Sequence, residues 1–278
     1  MTDITLLASI GVGYVGSAVA EAMAAEGLSV VGITRANFAE AGAAIAAATH
    51  LLSTVPPDDS GDPVLLRHGG AIEAAPKLRW IGYISTTGVY GDRNGGWVDE
   101  NTEPAPGSVR SRRRLAAEQA WRALGDRHAV DLFRLAGIYG PGRSPFDSLR
   151  AGSARRVLRP GHTFGRIHRD DIVRAVLVAM RQQRAFGVRV LNLADDEPAE
   201  SATVIEEAAR LLGIPPPDAL PFDQALATMS PMARSFWAES RKVSSRWTQQ
   251  TLGLRWLYPS YREGLRAILV QECADRLS

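Results

Sequence analysis

The stretch that most confines this chain is residues 6–16, LLASIGVGYVG, an apolar run ending in three glycines spaced G-x-G-x-x-G. Gly11, Gly13 and Gly16 stand where a buried strand would turn directly into a helix. In such a turn the first glycine permits a sharp bend, the second lets backbone N–H groups approach a pyrophosphate, and the third lets helix and strand pack closely. The helix N-terminus then faces the anion. An alanine-rich helix over 17–26 is stopped by Gly27, and a second apolar strand over 29–34 completes a βαβ unit of roughly 30 residues. The pattern predicts a dinucleotide site that includes Tyr14 and Val15, between the second and third glycines.

The end of the second strand bears on which dinucleotide. A carboxylate about 20 residues past the first glycine holds the ribose 2′-hydroxyl of NAD, whereas an arginine accommodates a 2′-phosphate. Thr34 and Arg35 occupy that end and no acid appears until Glu40. NADP is therefore expected in preference to NAD. Open α/β sheets bind ligands outside the carboxyl ends of their strands, so Val55, Pro56 and Ser85, at the ends of the next two strands, join the expected cofactor site.

Further along, a short helix within 36–48 leads to a strand over 49–55 and a turn-rich loop over 56–63. A doubly wound sheet usually inserts another strand and helix between 35 and 49, so either an edge strand or residues of the chain are missing there. A helix over 64–75, a strand over 78–85, an acidic loop over 97–106, a helix over 110–124 and a strand over 128–135 continue the alternation. Repeated βα alternation argues for a parallel sheet covered on both faces. Beyond Arg143 the pattern loosens into a helix over 167–180, a returning strand over 188–194, a helix over 202–212, a linker over 214–221, a polar aromatic loop over 230–245 and a closing helix over 261–277. The expected organisation is an α/β doubly wound (Rossmann) domain over 1–165 with strand 188–194 returning to it, and a smaller C-terminal substrate lobe over 195–278.

Composition narrows the chemistry. Formal charge is only +2 across 278 residues, which gives no reason to expect nucleic acid as a partner. Lys77 and Lys242 are the only lysines, and neither sits in a recognisable site for Schiff-base or general-base work. The single cysteine, Cys273, excludes a disulfide framework and a cysteine-based metal site. No apolar run approaches the roughly 18 residues of a membrane span, and no signal-peptide pattern opens the chain, so a cytoplasmic location is expected.

These features together resemble the short-chain dehydrogenase/reductase superfamily, in particular its extended epimerase/dehydratase branch. The resemblance runs over nearly the whole length and rests on the glycine turn, STTGVYG at 85–91, RLAGIYGPGR at 134–143, IHRDDI at 167–172 and LGLRWLYPSYREGLR near the end. It implies that Thr86 holds a substrate oxygen. It also implies a Tyr-x-x-x-Lys pair on the helix after the acidic loop, the tyrosine as acid/base and the lysine on the nicotinamide ribose. Counting back from LAAE at 115–118, those positions are Arg110 and Arg114, and no Tyr-x-x-x-Lys occurs anywhere. The resemblance further implies a homodimer formed through helices that include the one bearing Arg110.

An arginine, with a pKa above about 12, cannot replace the phenol as a proton shuttle. Arg114 can still pair with ribose or phosphate, and Arg110 with an anionic substrate. Tyr90 and Tyr139, each at a strand mouth, are candidates to handle the proton beside Thr86, with packing roles as the alternative. His50 reads as a core residue and His168 as part of a hydrogen-bonded turn before a helix. His68, His128 and His162 lack metal-ligand spacing. Asp99, Glu100 and Glu103 read as loop-solvating acids. Arg234, Arg241 and Lys242, interleaved with Phe236 and Trp237, form either an anion-and-ring pocket or a plain surface loop. Two functions remain open: an NAD(P)-dependent oxidoreductase or epimerase-like enzyme on a small anionic or sugar-like substrate, and a non-catalytic NADP(H)-binding sensor. Loss of the tyrosine–lysine pair favours the sensor; retention of Thr86 and of the lobe motifs favours the enzyme.

Overall fold

Short apolar runs, buried on both faces except toward the sheet edges, make the central sheet of the computed structural model, which describes residues 4–275. Its six strands are β1 (Leu7–Ile10), β2 (Val30–Ile33), β3 (His50–Ser53), β4 (Trp80–Thr86), β5 (Ala129–Leu135) and β6 (Gly187–Leu193). All pair in parallel, in the order β2-β1-β3-β4-β5-β6. The sheet ends at β2, so the missing βα unit is an omitted edge strand; the chain reaches β3 through α2 (Gly42–Ala47).

Helices cover both faces, as parallel strands require. On one side α1 (Tyr14–Ala25) and α6 (Arg169–Arg181) set Val19, Met23, Ile172, Val176 and Met180 against Phe133 and Leu191. On the other, α2, α3 (Pro63–Glu73) and α4 (Val109–Arg122) set Ile45, Ile72 and Trp121 against Ile81, Tyr83 and Leu132. Each fully buried side chain of this size contributes about 1.5–3 kcal/mol relative to exposure.

A separate, smaller core joins α5 (Pro145–Arg150), α7 (Ser201–Leu212) and α11 (Tyr261–Asp275) through Phe146, Leu149, Val204, Ala208, Leu265 and Ile268. The lobe is therefore not one continuous segment. Helix α5 packs in it from ahead of residue 165, while Leu252, Leu254 and Trp256, from within 195–278, pack into the core of the sheet. The remaining helices are α8 (Phe222–Thr228), α9 (Pro231–Trp237) and α10 (Arg246–Leu252), the last of which packs through Leu252 against the sheet core. Two expected irregular stretches carry structure. Ala219–Pro221 pairs in parallel with Arg156–Leu158, and the expected loop over 230–245 contains α9 and the strand Lys242–Val243, which pairs with Trp97–Val98. Residues 276 and 277 of the predicted last helix lie outside the described residues. Among the described residues no helix is long and apolar enough to cross a membrane.

Burial sets the protonation of two histidines. His50 in β3 is wholly enclosed, and desolvation lowers its pKa from 6.5 to about 4; His168 is lowered by the same cause. The unfolded chain then takes up protons that the fold refuses between roughly pH 6.5 and 4, so these imidazoles cost stability as pH falls through that window. The cost is on the order of 3 kcal/mol for His50. Buried carboxyls such as Asp62 and Asp171, raised by burial, slope the opposite way. The imidazoles are thus best read individually: in an NMR titration the His50 ring signals should stay in the neutral position at pH 5.5, and a midpoint near 6.5 would contradict the burial described here.

Candidate cofactor and substrate site

The glycine turn lies between the ends of β1 and β3, at the point where the chain switches from one side of β1 to the other. That crevice is the ligand position of doubly wound sheets. The three glycines have distinct physical causes. Gly11 has φ +91°, and a Cβ there would come within 2.5 Å of Thr54 Oγ1. A Cβ on Gly16 would overlap the carbonyl oxygen of Gly11. Gly13, at φ −93° and ψ −162°, needs no left-handed backbone, and no atom lies within 4 Å of its would-be Cβ. Neither conformation nor packing requires a glycine at 13, and the backbone there is open to the approach of a ligand. Gly13 is also the N-cap of α1, and no side chain caps that helix. The helix starts at Tyr14, three residues earlier than the sequence suggested, so its first amides belong to the turn itself.

Neighbouring groups hold the turn rigid. Thr54 Oγ1 donates to Gly11 O at 2.6 Å. The Tyr14 hydroxyl donates to Pro141 O at 3.0 Å, and the guanidinium groups of Arg143 and Arg169 lie 5.6 and 5.4 Å from its ring. Val15 is buried in the core beneath α1. At the end of β2 the Thr34 amide and hydroxyl donate to Asn37 Oδ1 at 2.6 and 3.1 Å. Arg35 beside them is exposed and makes no ion pair among the described residues, so its guanidinium faces solvent at the strand end.

Helix α4 carries Arg110 and Arg114. Arg114 Nη1 donates to Tyr83 Oη at 2.9 Å, Ile84 O at 3.0 Å and Val55 O at 3.5 Å, so it ties α4 to the ends of β3 and β4. Pro56, next to Val55, is exposed. Arg113 pairs with Asp59 across the same loop. Thr86 is half-buried, and its Oγ1 accepts from Gly88 N at 3.1 Å. Beside that turn stand two hydroxyls the sequence reading missed: Ser108 caps α4 and donates to Ser111 Oγ at 2.9 Å, and Ser111 lies against Gly88. Arg110 is exposed and uncommitted to any acid among the described residues. The segment after α9 crosses nearby: Glu239 lies against Gly107, and Arg241 Nη1 donates to Glu239 Oε2 at 2.7 Å and Gly91 O at 2.8 Å.

Ser85 and the two candidate phenols turn inward. Ser85 Oγ donates to Glu118 Oε1 at 2.5 Å, and Glu118, fully buried, pairs with Arg134 at 2.7 Å. The Arg134 guanidinium lies 4.8 Å from the centre of the Tyr90 ring, and the Tyr90 hydroxyl donates to Asn192 Oδ1 at 2.8 Å. Tyr139 packs against Gly264, with its hydroxyl 3.4 Å from Ser260 O. Burial raises both phenol pKa values. Their protons are engaged inside the protein rather than offered at strand mouths.

Other expectations separate as well. Glu100 is not a solvating acid: it accepts from Thr248 Oγ1 at 2.6 Å and the Asn192 amide at 3.3 Å, and burial raises its pKa. His168 Nδ1 accepts from Asp170 N at 3.2 Å as the N-cap of α6, the turn expected of it. The basic and aromatic residues over 234–242 do not converge. Trp237 stacks on His162 at 5.3 Å, Arg234 donates to backbone carbonyls of Met229 and Ala227, and Lys242 sits in a strand pair.

No family model matches the chain. It is similar to a functionally unknown conserved protein from Silicibacter pomeroyi DSS, with 40% identity and a TM-score of 0.86 over 96% of this chain and 99% of that one. Human epimerase family protein SDR39U1 (isoform 2), solved with NADPH, shares the fold at 19% identity and a TM-score of 0.78, over 95% of this chain and 98% of that one. The 3-diazoavenalumate denitrifying reductase of Streptomyces sp is 30% identical over 168 residues, 58% of this chain and 54% of the reductase. The chain spans about half the length of the curated relatives it matches.

The buried pair behind Ser85 should dominate local stability. Glu118→Ala strands Arg134 without its carboxylate, and denaturant unfolding should show a loss of about 3–5 kcal/mol. Arg110→Ala, at an exposed site, should stay within about 0.5 kcal/mol.

Proposed function

We infer, for a chain that belongs to the same family as the Silicibacter pomeroyi protein and has the fold of epimerase/dehydratase-type short-chain dehydrogenase/reductases, an NADP(H)-dependent oxidoreductase or epimerase-like enzyme for a small anionic substrate. The observation that carries the reading is Gly13, a glycine that neither backbone nor packing requires, at an uncapped helix start. The residues present fit a dinucleotide: the amides from Gly13 to Gly16 receive the pyrophosphate, Arg35 the 2′-phosphate beside the Thr34–Asn37 turn, and Arg114 the nicotinamide ribose, with Val55 and Pro56 lining the way. A nicotinamide bound there supplies or accepts hydride. SDR39U1 bound to NADPH and the Streptomyces reductase support this reading.

On the substrate side Thr86 orients an oxygen, with Ser108 and Ser111 beside it, and Arg110 neutralises an anionic group. An arginine fixes an oxyanion but cannot trade protons, so this reading confines the protein to binding and orienting and leaves the proton to water or to the substrate's own acid. Tyr90 and Tyr139 serve as scaffold, on the strength of their burial. Those two enclosed phenols also favour the second reading, a sensor that binds NADP(H) without turnover. We place the protein in the cytoplasm, acting on a small molecule.

Fluorescence titration should show NADPH bound about tenfold or more tightly than NADH, and Arg35→Glu should erase the preference, since charged hydrogen bonds to phosphate contribute roughly 1.5–3 kcal/mol. Equal affinities would remove the role given to Arg35. Tritium from the nicotinamide C4 of labelled NADPH should appear in at least one member of a panel of anionic carbonyl compounds and sugar nucleotides. Tight binding with no transfer across the panel selects the sensor.

A further inference from the structure

A groove of about 900 Å³ opens beside the edge strand β6, between the short strand carrying Trp97 and the segment 244–259. It stands three strands from β3, roughly 14 Å across the sheet from the glycine crevice, and none of the residues assigned to the cofactor or substrate lines it. Its size is in the range of small-molecule sites, about 300–1,000 Å³.

The lining has an unusual balance. Trp97 is 60% exposed on one wall and makes no ring contact among the described residues, so one face of a large, stiff indole is left for a partner. Arg246 and Arg255 are exposed, and their side chains make no ion pair or hydrogen bond among the described residues. Arg174 is oriented by a 2.5 Å hydrogen bond from Nη1 to Arg255 O. The acid on the lining, Asp196, accepts from Gln249 Nε2 at 2.9 Å. Asp99, in the adjoining hollow, is held by the Asn101 amide and the Thr102 hydroxyl at 3.1 and 2.9 Å. Guanidinium groups without acids of their own, facing a concave surface, are forks for phosphate or carboxylate. An indole beside them adds a platform for a flat ring.

We propose that this groove is a second ligand site, for an aromatic anion: a planar ring bearing phosphate or carboxylate that stacks on Trp97 and is gripped by Arg246 and Arg255. The site is independent of the reaction proposed above.

The test uses the full chain with saturating NADPH, so that the glycine crevice is filled. It is titrated calorimetrically with AMP, benzoate and inorganic phosphate, while the tryptophan indole N–H signals are followed by NMR. AMP or benzoate should bind saturably and shift the Trp97 indole signal, with the stronger of the two naming the acid group. Arg246→Ala/Arg255→Ala should weaken that binding about tenfold or more. Trp97→Ala should weaken it while Trp97→Phe keeps it, and Arg110→Ala should leave it unchanged. Three results would overturn the proposal: no saturable binding of AMP or benzoate at millimolar concentration, binding that follows Arg110 rather than Arg246 and Arg255, or phosphate bound as tightly as AMP with no dependence on Trp97. If NADPH itself fails to bind, the cofactor reading falls, and the same variants on the free chain still decide the groove. The NMR shift in the unmodified protein does not depend on any variant folding.

Discussion

Everything beyond the first strand depends on how closely α1 approaches β1. That closeness exists because Gly16 has no side chain to strike the carbonyl of Gly11, and because Thr54 clamps that same carbonyl from β3. One consequence is geometric: helix and sheet meet without an intervening layer, so the helix N-terminus opens directly over the strand ends. The other is electrostatic. Uncapped amides at a helix start carry partial positive charge, and here they sit at the place where the sheet's connections diverge. The remaining architecture, six strands and two layers of helices, fixes that crevice in space.

The second organising element is a run of buried polar contacts behind the turn that carries Thr86. Ser85, Glu118, Arg134, Tyr90 and Asn192 link β4, α4, β5, the turn after β4 and β6 in sequence. In low dielectric such a chain is stable only when each member is satisfied, and it therefore holds the strand ends in one register. Arg114 does similar work one turn earlier, spending Nη1 on three oxygens of β3 and β4. The arginines at 110 and 114 thus differ in kind. One is a fixed strut and the other is a free charge at the surface.

Much of the fold was legible because its signals are local. Strand–glycine–helix at 6–27 and the alternation up to residue 135 follow from apolar runs and turn formers, and all six strands fell where those runs are. What was not legible required knowing which side chains meet. Tyr90 and Tyr139 stand at strand ends in sequence, but whether a residue beyond a strand points in or out depends on neighbours a hundred residues away, Asn192 and Ser260. Glu100 looked like a solvated acid because its partner Thr248 is equally remote. A signal for the buried network did exist, since Arg134 is a charge inside an otherwise largely apolar strand run. Alpha9 was missed because its seven residues carry too little periodicity to separate helix from loop.

The strap over 239–244 has a further implication for how the molecule comes into being. Ser240, Lys242 and Ser244 hydrogen-bond to the loop over 92–98, contacts that span about half of the chain. Contacts of such high sequence separation form late, because the loop they close must first lose its freedom. During synthesis the glycine crevice can be complete while the wall of the neighbouring cleft is still waiting for its last strands of chain. The strand–glycine–helix half of the sheet would thus form early, and this strap would close only at the end.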